Sequence, residues 1–317
     1  MSTYPIFTGC ATALVTPMCT DGSLDEAALH RLLAMQIEAH MDAIVVLGTT
    51  GEPCTLSMDE RERVIAMTVE LCKGKMPVIV GTGSNDTRKA ILFARQAHTL
   101  GADAQLCVTP YYNKATQEGL LRHYGTILDA CELPMILYNV PSRTGMSLTA
   151  DTAAQLAVHP RVAGLKEASC DMTLVDAILR KTDGSLPIYS GNDDLTLQLM
   201  ATGAVGSISV AANVAPELTR KVTSACISGD FAAAREAQAR LMPLIRALFS
   251  QVSPIPAKAA LSMMGLCEDV LRLPLTPMEE PHRAKLCGVL RELGLLDSAV
   301  VDARKRACSP LSMFTNS

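Results

Sequence analysis

Eight short apolar segments, each followed by a longer stretch with helical periodicity, constrain the fold of this chain more than any other feature. They lie at residues 11–17, 43–48, 77–83, 103–110, 134–141, 161–169, 186–192 and 204–212. Their nearly continuous apolarity is typical of strands that are buried on both faces, as in a parallel sheet. Eight consecutive βα units favour a (β/α)8 TIM barrel over a doubly wound sheet.

The alternation ends at residue 228, because beyond it helical periodicity continues without strand segments between the helices. The helices predicted there are 230–248, 256–267 and 277–294. A C-terminal helical appendage on the barrel is the simplest interpretation. The predicted parts of the chain are a barrel over 1–228, a helical domain over 229–296 and a solvated tail over 297–317.

Three patterns predict helix starts. Ser23 with Glu26, and Ser57 with Glu60, have the Ser-x-x-Glu spacing of a capping box. Pro277 is typical of the first helical turn, where its missing N–H has no cost.

Composition excludes several classes of protein. The 28 basic and 32 acidic side chains give a net charge of −4, and only 3% of the residues are aromatic, whereas a nucleic-acid groove needs a basic stripe and stacking aromatics. The 49% hydrophobic fraction excludes intrinsic disorder. Proline, glycine and polar residues interrupt the charge-free stretches 1–20 and 195–216, so no membrane helix is expected. Eleven cysteines, an odd number without C-x-x-C, are typical of reduced thiols in the cytoplasm.

Lys166 is the most informative residue at the C-terminal ends of the strands, where barrels of this kind place their active sites. It follows Val-Ala-Gly-Leu inside a predicted buried strand. A desolvated amine has a lowered pKa and becomes a nucleophile toward carbonyls, as a Schiff-base enzyme requires. The alternative is a structural lysine that reaches water or pairs with Glu167.

Other strand ends carry hydroxyls and an arginine. Tyr138 lies near the end of the fifth segment, and its phenol could relay protons if the hydroxyls of Thr49 and Thr50 held it. The turn 48–52, Gly-Thr-Thr-Gly-Glu, could bind a carboxylate through its backbone N–H groups. Arg143 follows in a loop over the barrel mouth and suits bidentate capture of a carboxylate. The alternatives are a tyrosine that only fills the barrel mouth and a surface arginine.

No motif for a cofactor is evident. The six histidines have no metal-ligand spacing. Residues 81–86, Gly-Thr-Gly-Ser-Asn-Asp, lack the last glycine of a dinucleotide fingerprint, and there is no Gly-x-Ser-x-Gly elbow. Neither a metal nor an organic cofactor is therefore expected.

Taken in order, these motifs resemble one family. The segments GTTGE, VTPYYNKATQEGL, YNVPSRTG, GLKEAS and SGND, with PIPAKAAL and LRLPLTP near the C-terminus, look like 4-hydroxy-tetrahydrodipicolinate (dihydrodipicolinate) synthases, which are class I pyruvate aldolases. The resemblance runs from about residue 5 to 296. It implies condensation of pyruvate with L-aspartate 4-semialdehyde, a step toward diaminopimelate and lysine.

The resemblance also implies roles for single residues. Lys166 would form the Schiff base with pyruvate, and Tyr138 would shuttle protons through Thr49. Tyr112 would complete this relay from the neighbouring subunit of a tight dimer, in a homotetramer built from two such dimers. The residues implied in substrate binding are Thr50 for the pyruvate carboxylate, Arg143 for the semialdehyde carboxylate, Ile208 through its carbonyl, and Gly191 within SGND.

The chain departs from the family at several positions. Asn192 stands where the family often has Asp. Lysine-inhibited relatives carry histidines and a glutamate where this chain has Met58, Arg61 and Lys89. The ammonium of the inhibitor would meet Lys89 instead of a carboxylate, and like charges a few ångströms apart cost on the order of 1 kcal/mol or more. We therefore predict weak or absent inhibition by lysine.

Two other functions fit part of the pattern. A related lyase acting on N-acetylneuraminate or a keto-deoxy sugar acid would share Lys166 and Tyr138 but would not need Arg143. A barrel that has lost catalysis could serve as a small-molecule sensor, although the intact set of Lys166, Tyr138 and Thr49 speaks against it.

Overall fold

The computed structural model describes residues 5–296 and contains a closed barrel of eight parallel strands. Each strand pairs with the next along the chain, and β8 pairs with β1. The strands are β1 Gly9–Ala13, β2 Ala43–Val46, β3 Val78–Gly81, β4 Ala104–Val108, β5 Met135–Asn139, β6 Val162–Glu167, β7 Ile188–Ser190 and β8 Gly206–Ser209. The predicted (β/α)8 barrel is confirmed.

Two apolar layers account for the nearly continuous apolarity of the strands. One layer fills the barrel interior and includes Ala11, Val45, Ile79 and Ile136. The other lies between the outer face of the strands and the surrounding helices. Because both faces of each strand are buried, apolar and polar residues do not alternate along these segments.

The closure of the barrel depends on two glycines. Gly9 of β1 faces Gly206 of β8 in the ladder. A Cβ atom on Gly206 would lie 2.1 Å from the carbonyl oxygen of Gly9, a distance that no side chain tolerates. Glycine at position 206 therefore lets the last strand approach the first.

Helices follow each strand and continue beyond the barrel. They are α1 Glu26–Glu38, α2 Met58–Cys72, α3 Thr87–Thr99, α4 Gln117–Ala130, α5 Pro141–Thr144, α6 Ala150–Ala157, α7 Met172–Lys181, α8 Thr196–Ala201, α9 Pro216–Ile227, α10 Phe231–Leu248, α11 Ile255–Met263 and α12 Glu280–Glu292. Helix α10 packs against α9 and α12. In residues 5–296, no helix is long and apolar enough to cross a membrane.

One predicted helix start is confirmed and two are wrong. Ser57 and Glu60 form a complete capping box on α2. At α1, Asp25 is the N-cap and accepts from the Ala28 N–H at 2.8 Å, because Ser23 is engaged with Asp21 instead.

At α12, the helix begins at Glu280 with a proline in its first turn. The start predicted from Pro277 is therefore several residues early. The division into domains at residue 228 stays a prediction, and the predicted tail 297–317 lies outside the described residues.

Candidate active site

Lys166 and Tyr138 lie side by side, each one residue before the C-terminal end of its strand. They are direct partners in the register of β6 and β5, so their side chains project from the same face of the sheet. The Lys166 Nζ is 4.5 Å from the centroid of the Tyr138 ring. Both residues are buried, with 5% and 6% exposure.

Burial controls the ionisation of Lys166. Desolvation lowers its pKa to about 8, the Asp193 carboxylate opposes this shift, and Arg143 adds to it. The alternative of a structural lysine paired with Glu167 does not hold. The Glu167 carboxylate accepts hydrogen bonds from Asn139 Nδ2 at 2.9 Å and from the Ser169 N–H at 2.5 Å. The amine is thus buried and its pKa is lowered, and its role as a nucleophile stays a prediction.

Gly191 provides space beside this amine. A Cβ atom at position 191 would lie 3.1 Å from Cε of Lys166 and 2.7 Å from Cβ of Ala168. Any larger residue would therefore press on the lysine side chain. The structure thus brings Gly191 of the SGND segment next to Lys166.

Tyr138 is linked to the turn after β2. Burial raises the pKa of Tyr138, and the Arg143 charge and the interaction with the Thr49 side chain oppose this rise without cancelling it. Thr49 and Tyr138 both line the same cavity. Thr50 is buried in the same short 3-10 turn, Thr49–Gly51.

A cavity of ≈ 310 Å³ opens above these residues. Its lining includes Thr49, Tyr138 and Arg143 from the barrel and Val252 from the segment between α10 and α11. Nη2 of Arg143 donates to the carbonyl oxygen of Ser253 at 3.2 Å. The C-terminal segment therefore forms part of the wall of this site.

The predicted residues do not all line this cavity. Four predicted site residues are not among the described residues that line the cavity, namely Lys166, Thr50, Gly191 and Ile208. Lys166 contacts Tyr138 from within the barrel, and Ile208, which is 1% exposed, belongs to the same interior layer as Tyr138. Tyr112 is separate: it is 92% exposed and has a φ of 70°, whereas its neighbour Tyr111 lines the cavity.

Asp193 is a buried acid that the sequence reasoning missed. Its carboxylate accepts from the N–H groups of Val210 and Ala211 at 3.1 and 2.9 Å. Burial raises its pKa, and the Lys166 charge opposes this. The only signal in the sequence was its place as the last residue of SGND. Asp193 both holds the loop after β8 and supplies a negative field near the amine.

A second missed group joins the turn after β2 to the C-terminal helices. Glu52 forms a buried ion pair with Lys258 of α11. Arg272 donates to the carbonyl oxygens of Gly22 and Thr55 and pairs with Glu60. Their signal was a charged residue in each of GTTGE, PIPAKAAL and LRLPLTP. Residues 5–296 contain no group of three or more His, Cys, Asp or Glu side chains that could hold a metal ion.

Comparisons with known proteins identify the family that the chain resembles. A family model described as the dihydrodipicolinate synthetase family matches residues 6–293. The 4-hydroxy-tetrahydrodipicolinate synthase of Thermotoga neapolitana is 47% identical over 295 residues, covering 92% of this chain and all of that protein.

Solved structures give the same result. The dihydrodipicolinate synthase of Thermotoga maritima has 44% identity and a TM-score of 0.90, over 92% of this chain and 100% of that one. The chloride-inhibited dihydrodipicolinate synthase of Acinetobacter baumannii, crystallised with pyruvate, has 44% identity and a TM-score of 0.89, over 91% and 99%. Because the family model and these relatives cover the barrel and the C-terminal helices alike, the chain belongs to the dihydrodipicolinate synthetase family.

Proposed function

We propose that this protein condenses pyruvate with L-aspartate 4-semialdehyde to give 4-hydroxy-tetrahydrodipicolinate, in the biosynthesis of diaminopimelate and lysine. The observation that carries the proposal is the buried Lys166 amine beside Tyr138, on adjacent strands and in register, in a member of this family. It is an enzyme, a lyase with a class I aldolase mechanism. No metal or organic cofactor is part of the proposed reaction.

The chemistry follows from these two residues. The neutral amine of Lys166 attacks the keto carbon of pyruvate, and loss of water leaves an iminium ion. The iminium withdraws electrons, so a methyl proton leaves, with the Tyr138–Thr49 pair as its acceptor. The resulting enamine attacks the aldehyde carbon, and the aldehyde oxygen takes up a proton. The substrate's own amino group then displaces Lys166, which closes the ring and frees the enzyme.

Each of the two substrates carries a carboxylate that needs a partner in the site. The backbone at Thr50 is proposed to hold the pyruvate carboxylate, with Gly191 and the Ile208 carbonyl near the bound substrate. Arg143 is proposed to bind the semialdehyde carboxylate, in place of its present bond to the neutral Ser253 carbonyl. A carboxylate is the stronger partner for a guanidinium, so this exchange is favourable.

Assembly and location belong to the same proposal. We place Tyr112 in the relay of a neighbouring subunit, in a homotetramer made of two tight dimers. Its 92% exposure and left-handed backbone in the single chain support this position, because such strain persists where it has a use. Cytoplasmic location is supported by the odd number of cysteines.

A coupled assay tests the function. Purified protein is mixed with pyruvate and L-aspartate 4-semialdehyde, and product is reduced by the next reductase with NADPH. We expect NADPH oxidation that requires both substrates. Cleavage of N-acetylneuraminate or a keto-deoxy sugar acid without this activity would instead establish the related lyase. Absence of any covalent adduct with pyruvate after borohydride reduction would favour a sensor.

Replacement of Arg143 by Met is expected to impair use of the semialdehyde more than use of pyruvate. Loss of a charge-assisted hydrogen bond costs about 1.5–3 kcal/mol, so we expect kcat/KM for the semialdehyde to fall about 10- to 150-fold. Trapping of pyruvate on Lys166 should be retained. Steady-state kinetics with each substrate varied in turn provides the measurement, and an unchanged kcat/KM for the semialdehyde would contradict the assignment.

The lowered pKa of Lys166 predicts a pH dependence. Only the neutral amine attacks a carbonyl, and the folded pKa is about 8, so at pH 7 about a tenth of the amine is reactive. We expect kcat/KM for pyruvate to rise about tenfold per pH unit below pH 8 and to level off above it. A profile that is flat between pH 6 and about 9 would contradict a free amine with this pKa.

The structure supports the predicted insensitivity to lysine. Arg61 is 2% exposed. Its guanidinium donates to the Gly81 carbonyl oxygen at 2.9 Å, and its Cζ lies 3.9 Å from the centroid of the Phe93 ring. The side chain is therefore directed into the protein interior. Lys89 is exposed, and by the resemblance it takes the position of the glutamate of lysine-inhibited relatives. We expect millimolar L-lysine to leave the rate unchanged in the coupled assay, and strong inhibition at sub-millimolar lysine would contradict this prediction.

A further inference from the structure

Glu52 and Lys258 form a buried ion pair that the proposed reaction does not use. Nζ of Lys258 lies 2.5 Å from Oε1 of Glu52, and the two side chains are 0% and 2% exposed. Lys258 belongs to α11, whereas Glu52 directly follows the turn Thr49–Gly51. The pair therefore connects the barrel mouth to a helix distant along the chain.

Stability alone does not account for this pair. Burial lowers the pKa of Lys258. The negative charge of Glu52 opposes this shift but does not cancel it. Removing two charges from water costs about as much as their attraction returns, and apolar residues of similar volume often give equal or greater stability. A buried ion pair differs from an apolar contact chiefly in fixing an orientation.

The orientation fixed here is that of the turn carrying Thr49. Glu52 has a left-handed backbone, with φ 51° and ψ 44°, which a residue other than glycine adopts only at a cost. Its N–H donates to the Thr49 carbonyl oxygen at 3.2 Å. On the other side of the turn, the Thr16 hydroxyl donates to the Gly51 carbonyl oxygen at 2.7 Å.

Both members of the pair also form hydrogen bonds with the segment that follows α11. Lys258 Nζ donates to the Val270 carbonyl oxygen at 2.8 Å. The second carboxylate oxygen of Glu52 accepts from the N–H of Arg272 at 3.2 Å. Each charge thus has a second partner in the segment after α11, and that segment also lines the cavity.

We infer that Glu52 and Lys258 are positioning residues, which hold the Thr49 hydroxyl against the Tyr138 phenol from the C-terminal helices. The inference rests on the proposed function, because it assigns Thr49 to the proton relay. It makes α11 a support of the reaction rather than a structural appendage. The step it controls is transfer of the pyruvate methyl proton, and formation of the Schiff base on Lys166 does not depend on it.

Two readouts with pyruvate alone separate these steps. Borohydride trapping, followed by mass spectrometry, measures the adduct on Lys166. Exchange of the pyruvate methyl protons in D2O, followed by NMR, measures proton transfer. The variants are Glu52→Gln, Lys258→Met and the double variant, in the full chain, and both rates are taken per folded molecule after denaturant titration.

The double variant is decisive, because it removes both charges and leaves no unpaired one. We expect it to be more stable than Lys258→Met, to trap pyruvate as the wild type does, and to exchange methyl protons about 10²-fold more slowly, as for a catalytic group displaced by about 1 Å. The control Tyr124→Phe removes a buried hydrogen bond to Cys107 in another part of the barrel. We expect normal exchange per folded molecule in this control.

Other outcomes would overturn the inference. Normal exchange in the double variant would make the pair purely structural. Equal losses of trapping and exchange would indicate a general collapse of the site. Failure of the wild type to trap pyruvate would overturn the proposed function and this inference together, whereas intact trapping and exchange in every variant would overturn the inference alone.

Discussion

Replacement of Lys166 by alanine abolishes both turnover and trapping of pyruvate, if the amine is the nucleophile. We expect the coupled rate to fall at least ~10³-fold, as for other essential covalent nucleophiles. The physical reason is that the iminium is the electron sink of every later step, so its loss removes the pathway rather than slowing one step. Borohydride reduction with pyruvate, followed by intact-mass measurement, gives the result directly.

The chain offers two internal comparisons for this experiment. Lys258 is also buried, but its amine lies against the Glu52 carboxylate, so we expect no adduct there and peptide mapping should find modification at Lys166 only. Lys181 is exposed and pairs with Asp151 at 2.6 Å. Lys181→Ala should therefore keep wild-type turnover. Turnover or trapping that survives in Lys166→Ala would refute the mechanism.

The fold could be predicted from sequence because burial on both faces leaves a pattern that few architectures share. Element boundaries were less certain. The predicted segment 11–17 runs past the end of β1 at Ala13, since the residues after a barrel strand are buried as well and apolarity does not mark the end of the ladder. At α1, Ser23 and Asp25 both suit an N-cap, and only the competing bond to Asp21 decides between them.

Part of the candidate site could also be predicted from the sequence, and part could not. Lys166, Tyr138 and Thr49 lie at the ends of strands, and the barrel topology alone brings such positions together. The pair of Glu52 and Lys258 joins residues that are distant in sequence, and no local pattern indicates which buried charge meets which. These contacts depend on how α11 packs over the barrel, which periodicity does not specify. The reaction roles of the site residues stay predictions until variants are assayed.

Replacement of Tyr138 by phenylalanine should separate covalent capture from proton transfer. The ring centroid that lies 4.5 Å from the Lys166 Nζ is kept, and only the hydroxyl that is proposed to act with Thr49 is lost. We expect turnover to fall about 10²- to 10⁴-fold, the usual contribution of general acid–base catalysis. Methyl-proton exchange should fall by a similar factor, while pyruvate is still trapped. The coupled assay measures turnover, D2O exchange measures methyl-proton transfer, and borohydride trapping measures the adduct with pyruvate.

Tyr189 is the matched control, because it flanks Lys166 on the opposite side. It pairs with Lys166 in the register of β6 and β7, but its hydroxyl donates to the Phe7 carbonyl oxygen at 2.9 Å and so has no free role in proton transfer. Tyr189→Phe should exchange methyl protons at the wild-type rate per folded molecule. If both variants lose exchange equally, the effect comes from packing around the lysine. A loss confined to Tyr138→Phe would locate the relay on the side of Thr49, where the turn after β2 holds it.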